Sequence, residues 1–152
     1  MEFTLQDYLS TSNKHPDRVN LATLAVQQAA EDLLVKLNTV LSAFYGTMPV
    51  NTKIKLLSSG YRNPAANEAQ GGSTGSYHMS GRAADVEDND RELAVFCLSD
   101  LPLLEHVGLW LEDPTYTKEK DEHGKWLNWV HFQTRPPKSG KRIFAPTSTR
   151  PR

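Results

Sequence analysis

Cysteine is nearly absent from this chain: Cys97 stands alone among 152 residues. One thiol cannot close an intrachain disulfide, nor can it build a Cys-based structural zinc site. Its apolar neighbours, Ala94-Val95-Phe96 and Leu98, mark it as a small buried hydrophobe. Long hydrophobic runs are missing as well. None approaches the roughly 18 residues that a bilayer crossing needs, so no membrane insertion is expected. The opening residues, Met1-Glu2-Phe3-Thr4, lack the basic and apolar regions of a secretory signal. The expectation is a chain made and kept in the cytosol unless something else releases it. Charge of one sign is also lacking, with 17 basic and 18 acidic residues and a formal net charge of −1. No basic stripe is left over for nucleic acid, which excludes a dominant nucleic-acid role. Internal repeats and low-complexity segments are absent too. What is present is 38% hydrophobic and 23% charged, a globular balance for one domain with its own core. That core is expected over about 20–135, with 136–152 as a surface tail. Nothing here speaks to oligomeric state.

Thr4-Leu5-Gln6-Asp7 resembles a capping box with a shortened acid, so a brief helix is expected to about Ser10. The main helix runs from Leu21 to about Phe44, with Asn20 as its N-cap and Gly46 at its end. Leu24, Leu34, Leu37, Val40, Leu41 and Phe44 recur at helical spacing along it. Lys53–Leu57 reads as a strand. A long Gly-rich loop, Ser58–Tyr77, follows, with one helical turn at Pro64–Glu68. Loops of that length without regular structure are usually functional. Ala83–Glu87 is the next strand, and Asn89 caps a helix from Asp90 to about Leu98, with a further turn at Leu101–Leu104. Gly108–Glu112 and Asn128–Gln133 read as two antiparallel strands joined by a charged segment, Thr115–Lys125.

The chemistry concentrates in Ser76-Tyr77-His78-Met79-Ser80-Gly81-Arg82-Ala83-Ala84-Asp85 and in Trp129-Val130-His131. Two imidazoles and a carboxylate are the donor set of a catalytic zinc, which keeps one position open. His78 and Asp85 suit a loop-then-strand arrangement, with Gly81 permitting the turn and two alanines leaving room. Taken alone, the pair also fits a surface histidine and a turn aspartate. In its strand, His131 shares a face with Trp129 and Gln133, while Val130 and Phe132 face the core. Alone, it fits a solvated sheet face equally. His15, His106 and His123 read as surface residues.

The set Ser59-Gly60-Tyr61-Arg62, Asn67, Gly71-Gly72, Ser76-x-His78-x-x-Gly81-x-Ala83-x-Asp85 and Trp129-x-His131 resembles the zinc D-alanyl-D-alanine carboxypeptidases. That family includes vancomycin-resistance dipeptidases and phage endolysins that cut L-alanyl-D-glutamate bonds, and it shares a fold with the hedgehog signalling domain. The resemblance spans about Lys53 to Gln133. It implies an α+β fold, a small antiparallel sheet packed against helices. It implies one zinc ion on His78, Asp85 and His131, with Arg62 facing the reacting carbonyl or a substrate carboxylate. Ser76 orients His78 or binds substrate. Tyr61 packs in the loop or lines the site, and Gln133 is a possible substrate neighbour. The implied substrate is a peptidoglycan peptide, and the implied source is a phage or prophage. The chain would act on the wall after release from the host bacterial cytoplasm, or from a virion.

One departure separates this chain from many members of the family it resembles. Three residues before the last zinc histidine they carry a Glu or Asp as general base, whereas this chain has Asn128, which cannot take a proton. In some branches the carboxylate comes from the preceding strand, and Glu112 holds such a place, sharing a face with Trp110. Asp113 is its neighbour and leads into Pro114. A third reading has no base, which makes the protein a catalytically inactive, zinc-containing phage structural or wall-binding module. A fourth is a globular protein in which these residues never converge.

Overall fold

The computed structural model describes residues 2–11, 22–73 and 75–146. His15, and the cap and helix start expected at Asn20 and Leu21, lie outside them. Helix α1, Leu5–Ser10, opens with the capping box read from the sequence: Asp7 N–H donates to Thr4 Oγ1 and Thr4 N–H to the Asp7 carboxylate. Helix α2 spans Leu24–Thr47, capped by the Thr23 hydroxyl, and runs through Gly46 rather than stopping there. Its buried face is Ala30, Leu33, Leu34, Leu37, Val40, Leu41 and Phe44, a stripe of threes and fours. Each fully buried leucine on that stripe contributes about 1.5–3 kcal/mol of apolar burial.

Strand β1 is Leu57–Ser59, later than the strand expected at Lys53–Leu57. The physical reason is Lys55. It is only 6% exposed and forms ion pairs with Asp88 and Asp90, so its alternation with Ile54 serves a charge cluster instead of a strand ladder. Helix α3, Pro64–Ala69, and a 3-10 turn, Tyr77–Ser80, break the long loop. Strand β2 is Ala83–Glu87, as expected. Helix α4, Glu92–Ser99, is not capped by Asn89. The Asp88 carboxylate accepts from Leu93 and Ala94 N–H, and Asn89 reaches across to Asn128 instead. Helix α5, Leu101–Val107, continues a full turn past Leu104 and ends at left-handed Gly108.

Strands β3 (Trp110–Glu112), β4 (Lys118–Lys120), β5 (Trp126–Gln133) and β6 (Ile143–Phe144) complete the sheet. The order is β1-β2-β5-β3-β6, with β4 pairing with β5. Four of its pairings are antiparallel, but β6 runs parallel to β3, so the sheet is mixed rather than purely antiparallel. The tail therefore does more than lie along the surface. Arg142 donates to the Leu109 carbonyl and stacks over the Trp110 ring at 4.3 Å, which ties the tail to the sheet. One sheet face, with Ala84, Val86, Leu111, Val130 and Phe132 fully buried, packs in a shared core with α2.

Candidate metal centre

Register brings the distant residues together. Ser59 pairs with Asp85 and Asp85 with His131. Trp110 pairs with Gln133 and Leu111 with Phe132, so one further step sets Glu112 across from His131. Glu112 in turn pairs with Phe144. Directly opposed residues in a sheet share a face at about 4.5–5.5 Å between Cα atoms. Ser59, Asp85, His131, Glu112 and Phe144 thus form one row across five strands, on the face opposite the core. The period-2 alternation of β5 makes this possible, because Val130 and Phe132 are fully buried on one side and His131 is released to the other.

His78 joins the row from the 3-10 turn. Ser76 caps that turn and accepts from His78 N–H, and Gly81 ends it at φ 76°. A side chain at Gly81 would be strained by that left-handed backbone, and its Cβ would stand 2.5 Å from the Val26 carbonyl oxygen of α2. The turn is therefore pressed against α2, and His78 points inward. His78 Nδ1 lies 2.8 Å from the Gly60 carbonyl oxygen, which only accepts, so Nδ1 carries the hydrogen and Nε2 faces Asp85 Oδ2 at 3.4 Å. On the other side, His131 Nδ1 lies 2.8 Å from Asp85 Oδ1. The donor atoms of His78, Asp85 and His131 all lie within 4.8 Å of one another, and all three residues are buried.

Electrostatics follow from that crowding. Burial pushes the His78 imidazole below its ordinary pKa, and Arg62 adds to this. Burial alone would do the same to His131, but its hydrogen bond to Asp85, the Asp85 charge and then the Glu112 charge outweigh it and hold His131 above its ordinary value. Burial would raise Asp85, yet the flanking imidazoles hold its carboxyl well below the usual carboxylate range. An anionic carboxylate between two imidazoles is a cation site by charge as well as by donor type.

A cavity of about 320 Å³ opens over this row, bordered by Arg62, His78, Glu112, His131 and Gln133. A family profile described as Peptidase M15 matches residues 8–100. The chain belongs to the M15 peptidases. Comparisons with curated proteins and with solved structures gave no match. M15 peptidases are zinc-dependent, and the residues of this M15 chain fit that ion. They offer two imidazole donors and one carboxylate, with a cavity on the open side, which is the three-ligand pattern of catalytic zinc. The profile match contains Arg62, His78 and Asp85. His131 and Glu112 lie beyond it, and the β2–β5 and β3–β5 pairings bring them beside Asp85.

The remaining sequence expectations divide. Tyr61 is 5% exposed and belongs to the hydrophobic core, so of its two placements the packing one holds. Ser76 holds the His78 backbone and also borders the cavity. Gln133 borders the cavity, but its amide is committed to His131 and to the Arg135 carbonyl. Ala83 and Ala84 are fully buried and are not wall residues; the Ala83 carbonyl accepts from the Tyr8 hydroxyl. No residue of Thr115–Lys125 borders the cavity; within that segment Thr117 is fully buried and donates to the Trp129 carbonyl, and Lys118–Lys120 pair with β5. His106 and His123 are exposed, as expected. Sequence reasoning missed the tail, whose Pro137, Lys138, Phe144 and Pro146 form one wall. It also missed what steadies Arg62, whose Nε donates to Ser59 Oγ at 3.0 Å, with Asn67 Oδ1 and Asp85 Oδ2 each at 3.4 Å. The Ser59-x-x-Arg62-x4-Asn67 spacing was the available signal.

Proposed function

We propose that this M15 chain hydrolyses peptide bonds in the stem peptides of bacterial peptidoglycan, with His78, Asp85 and His131 holding one zinc ion. The observation that carries this reading is the row Asp85–His131–Glu112 under an open cavity, completed by His78 from the adjoining turn. Zinc, when bound, supplies Lewis acidity, activating water near neutral pH and polarising a carbonyl oxygen.

The chain's own groups do the rest. Glu112 is the general base. It takes a proton from the attacking water as the new C–O bond forms, then returns it to the amine as the C–N bond breaks. Asp113 is the weaker candidate, because its carboxylate is engaged by Thr115 N–H and Oγ1 in a turn. Arg62 is 3% exposed, is held by Ser59 and borders the cavity, so its guanidinium is preorganised for the oxyanion that develops at the carbonyl. Lys138 adds a second cation at the cavity wall, which suits the carboxylates of stem peptides. Either a terminal D-alanyl-D-alanine bond or an internal L-alanyl-D-glutamate bond fits that chemistry. A phage or prophage setting, with action on the wall after release or from a virion, completes the reading.

His78→Ala tests it. The variant is expected to lose both zinc and wall-peptide hydrolysis, and chelation should do the same to the parent protein. Full cleavage by the variant, or by chelated protein, would contradict the reading. A second reading, a zinc-holding binding module without catalysis, is favoured by Asn128. Its N–H donates to Asn89 Oδ1, and no carboxylate replaces it at that position. Bound zinc without cleavage of any muropeptide would select that reading.

A further inference from the structure

The geometry points to Gln133 as a positioning residue that decides which nitrogen of His131 is offered to the metal. The inference rests on the His78–Asp85–His131 centre proposed above. The orientation of the Gln133 amide follows from its partners. Its Nε2 lies 2.8 Å from the backbone carbonyl oxygen of Arg135, which can only accept. The NH2 group therefore faces Arg135, and Oε1 is the atom 2.9 Å from His131 Nε2. An amide oxygen also only accepts, so His131 Nε2 carries a hydrogen. Nδ1, 2.8 Å from Asp85 Oδ1, is the nitrogen turned toward the other two ligands, and a cation held with Asp85 takes the place of its hydrogen.

The strand makes this lock rigid. His131 and Gln133 sit two apart on β5 and share a face. Gln133 is 4% exposed, so water competes little for either end of its amide. Its backbone pairs with Ala83 on one side and Trp110 on the other. His78 is fixed in the opposite sense, with Nδ1–H on the Gly60 carbonyl and Nε2 toward Asp85. One imidazole is thus oriented by backbone and the other by a side chain. Without the Gln133 acceptor, the His131 ring loses the contact that sets its rotation and its protonated nitrogen. Outer partners of this kind typically contribute 10–100-fold in metal affinity.

The experiment uses the full chain, with zinc ion as the probe. Zinc affinity is measured by competition with a chromophoric chelator. The imidazole nitrogens of the zinc-loaded protein are observed by long-range 1H–15N correlation. The parent protein is expected to show a protonated Nε2 and a metal-bound Nδ1 on His131. Gln133→Met, similar in length but without the acceptor, should bind zinc roughly 10–100-fold more weakly. It should also lose the Nε2–H signal to solvent exchange. Gln133→Glu keeps the acceptor and should retain that signal. A metal-bound Nε2 in the parent overturns the inference. So does a Met variant with unchanged affinity and Nε2–H signal. If the Met variant does not fold, loss of the Nε2–H signal in folded Gln133→Glu overturns it equally. A parent protein that binds no zinc removes the centre itself, a separate failure from a Gln133 without influence.

Discussion

Glu112 is 1% exposed, and a carboxylate that deep costs several kcal/mol to desolvate unless positive charge stands near it. The neighbouring His131 imidazole supplies part of that charge, and the proposed zinc ion would supply the rest. Glu112→Gln keeps shape and hydrogen-bonding capacity and removes the proton acceptor. The expected result is parent-like zinc content with kcat lowered by about 10²–10⁴-fold, checked by metal analysis beside initial rates on a muropeptide. Unchanged turnover would remove Glu112 from the chemistry. At this scale the sequence was most readable where side-chain type carries the signal. His78, Asp85 and His131 are ligand types, and strand parity alone turned Glu112 to the open face. The Gly60 carbonyl, which orients His78, was invisible because a backbone acceptor leaves no mark in residue type. The buried Lys55 was hidden for a related reason: only Asp88 and Asp90, more than thirty positions on, make its burial tolerable.

Elements place those residues, and two are under visible constraint. The 3-10 turn carrying His78 closes through Gly81, where a Cβ would meet both a left-handed backbone and the Val26 carbonyl. Gly81→Ala is expected to lower unfolding free energy by at least about 1–2 kcal/mol, read from the urea midpoint. Zinc affinity should fall with it, because His78 rides on that turn. The second constraint is the Lys55 cluster that ties the approach to β1 onto the start of α4. Burial would lower the Lys55 pKa, but its hydrogen bonds to Asp88 and Asp90 outweigh that and raise it. A raised lysine pKa means stabilisation that is complete below its unfolded value, about 10.4, and lost as pH rises through the folded value. Removing one partner of a buried pair costs about 3–5 kcal/mol. Lys55→Met should therefore destabilise by about 3 kcal/mol near neutrality, with the gap to the parent narrowing at strongly alkaline pH as Lys55 loses its proton, and in acid as Asp90, whose pKa the pair lowers, takes one up. A gap that stays constant into both acid and alkali would contradict the assignment. Capping boxes and helical stripes were legible because they are local. The late start of β1 and the parallel pairing of β6 were not, because both depend on partners far along the chain.

Across the whole molecule, the site is assembled from two stretches of sequence. Arg62, His78 and Asp85 lie within the residues matched by the M15 profile, and Glu112, His131 and Gln133 lie after them. Pairing of β2 with β5 joins the halves, so the centre exists only in the folded sheet. A ligand that binds only the folded state stabilises it by about 2.7 kcal/mol at a hundred times its Kd. Saturating zinc should therefore raise the Tm of the metal-free protein by several degrees, and His78→Ala should abolish that rise. The central claim, a zinc peptidase of the bacterial wall, is tested most directly by mass spectrometry of purified peptidoglycan incubated with protein of measured zinc content. The predicted result is one zinc per chain, stem peptides each cut with the gain of one water, and no cutting after chelation. Intact stem peptides in the presence of fully zinc-loaded protein would contradict it.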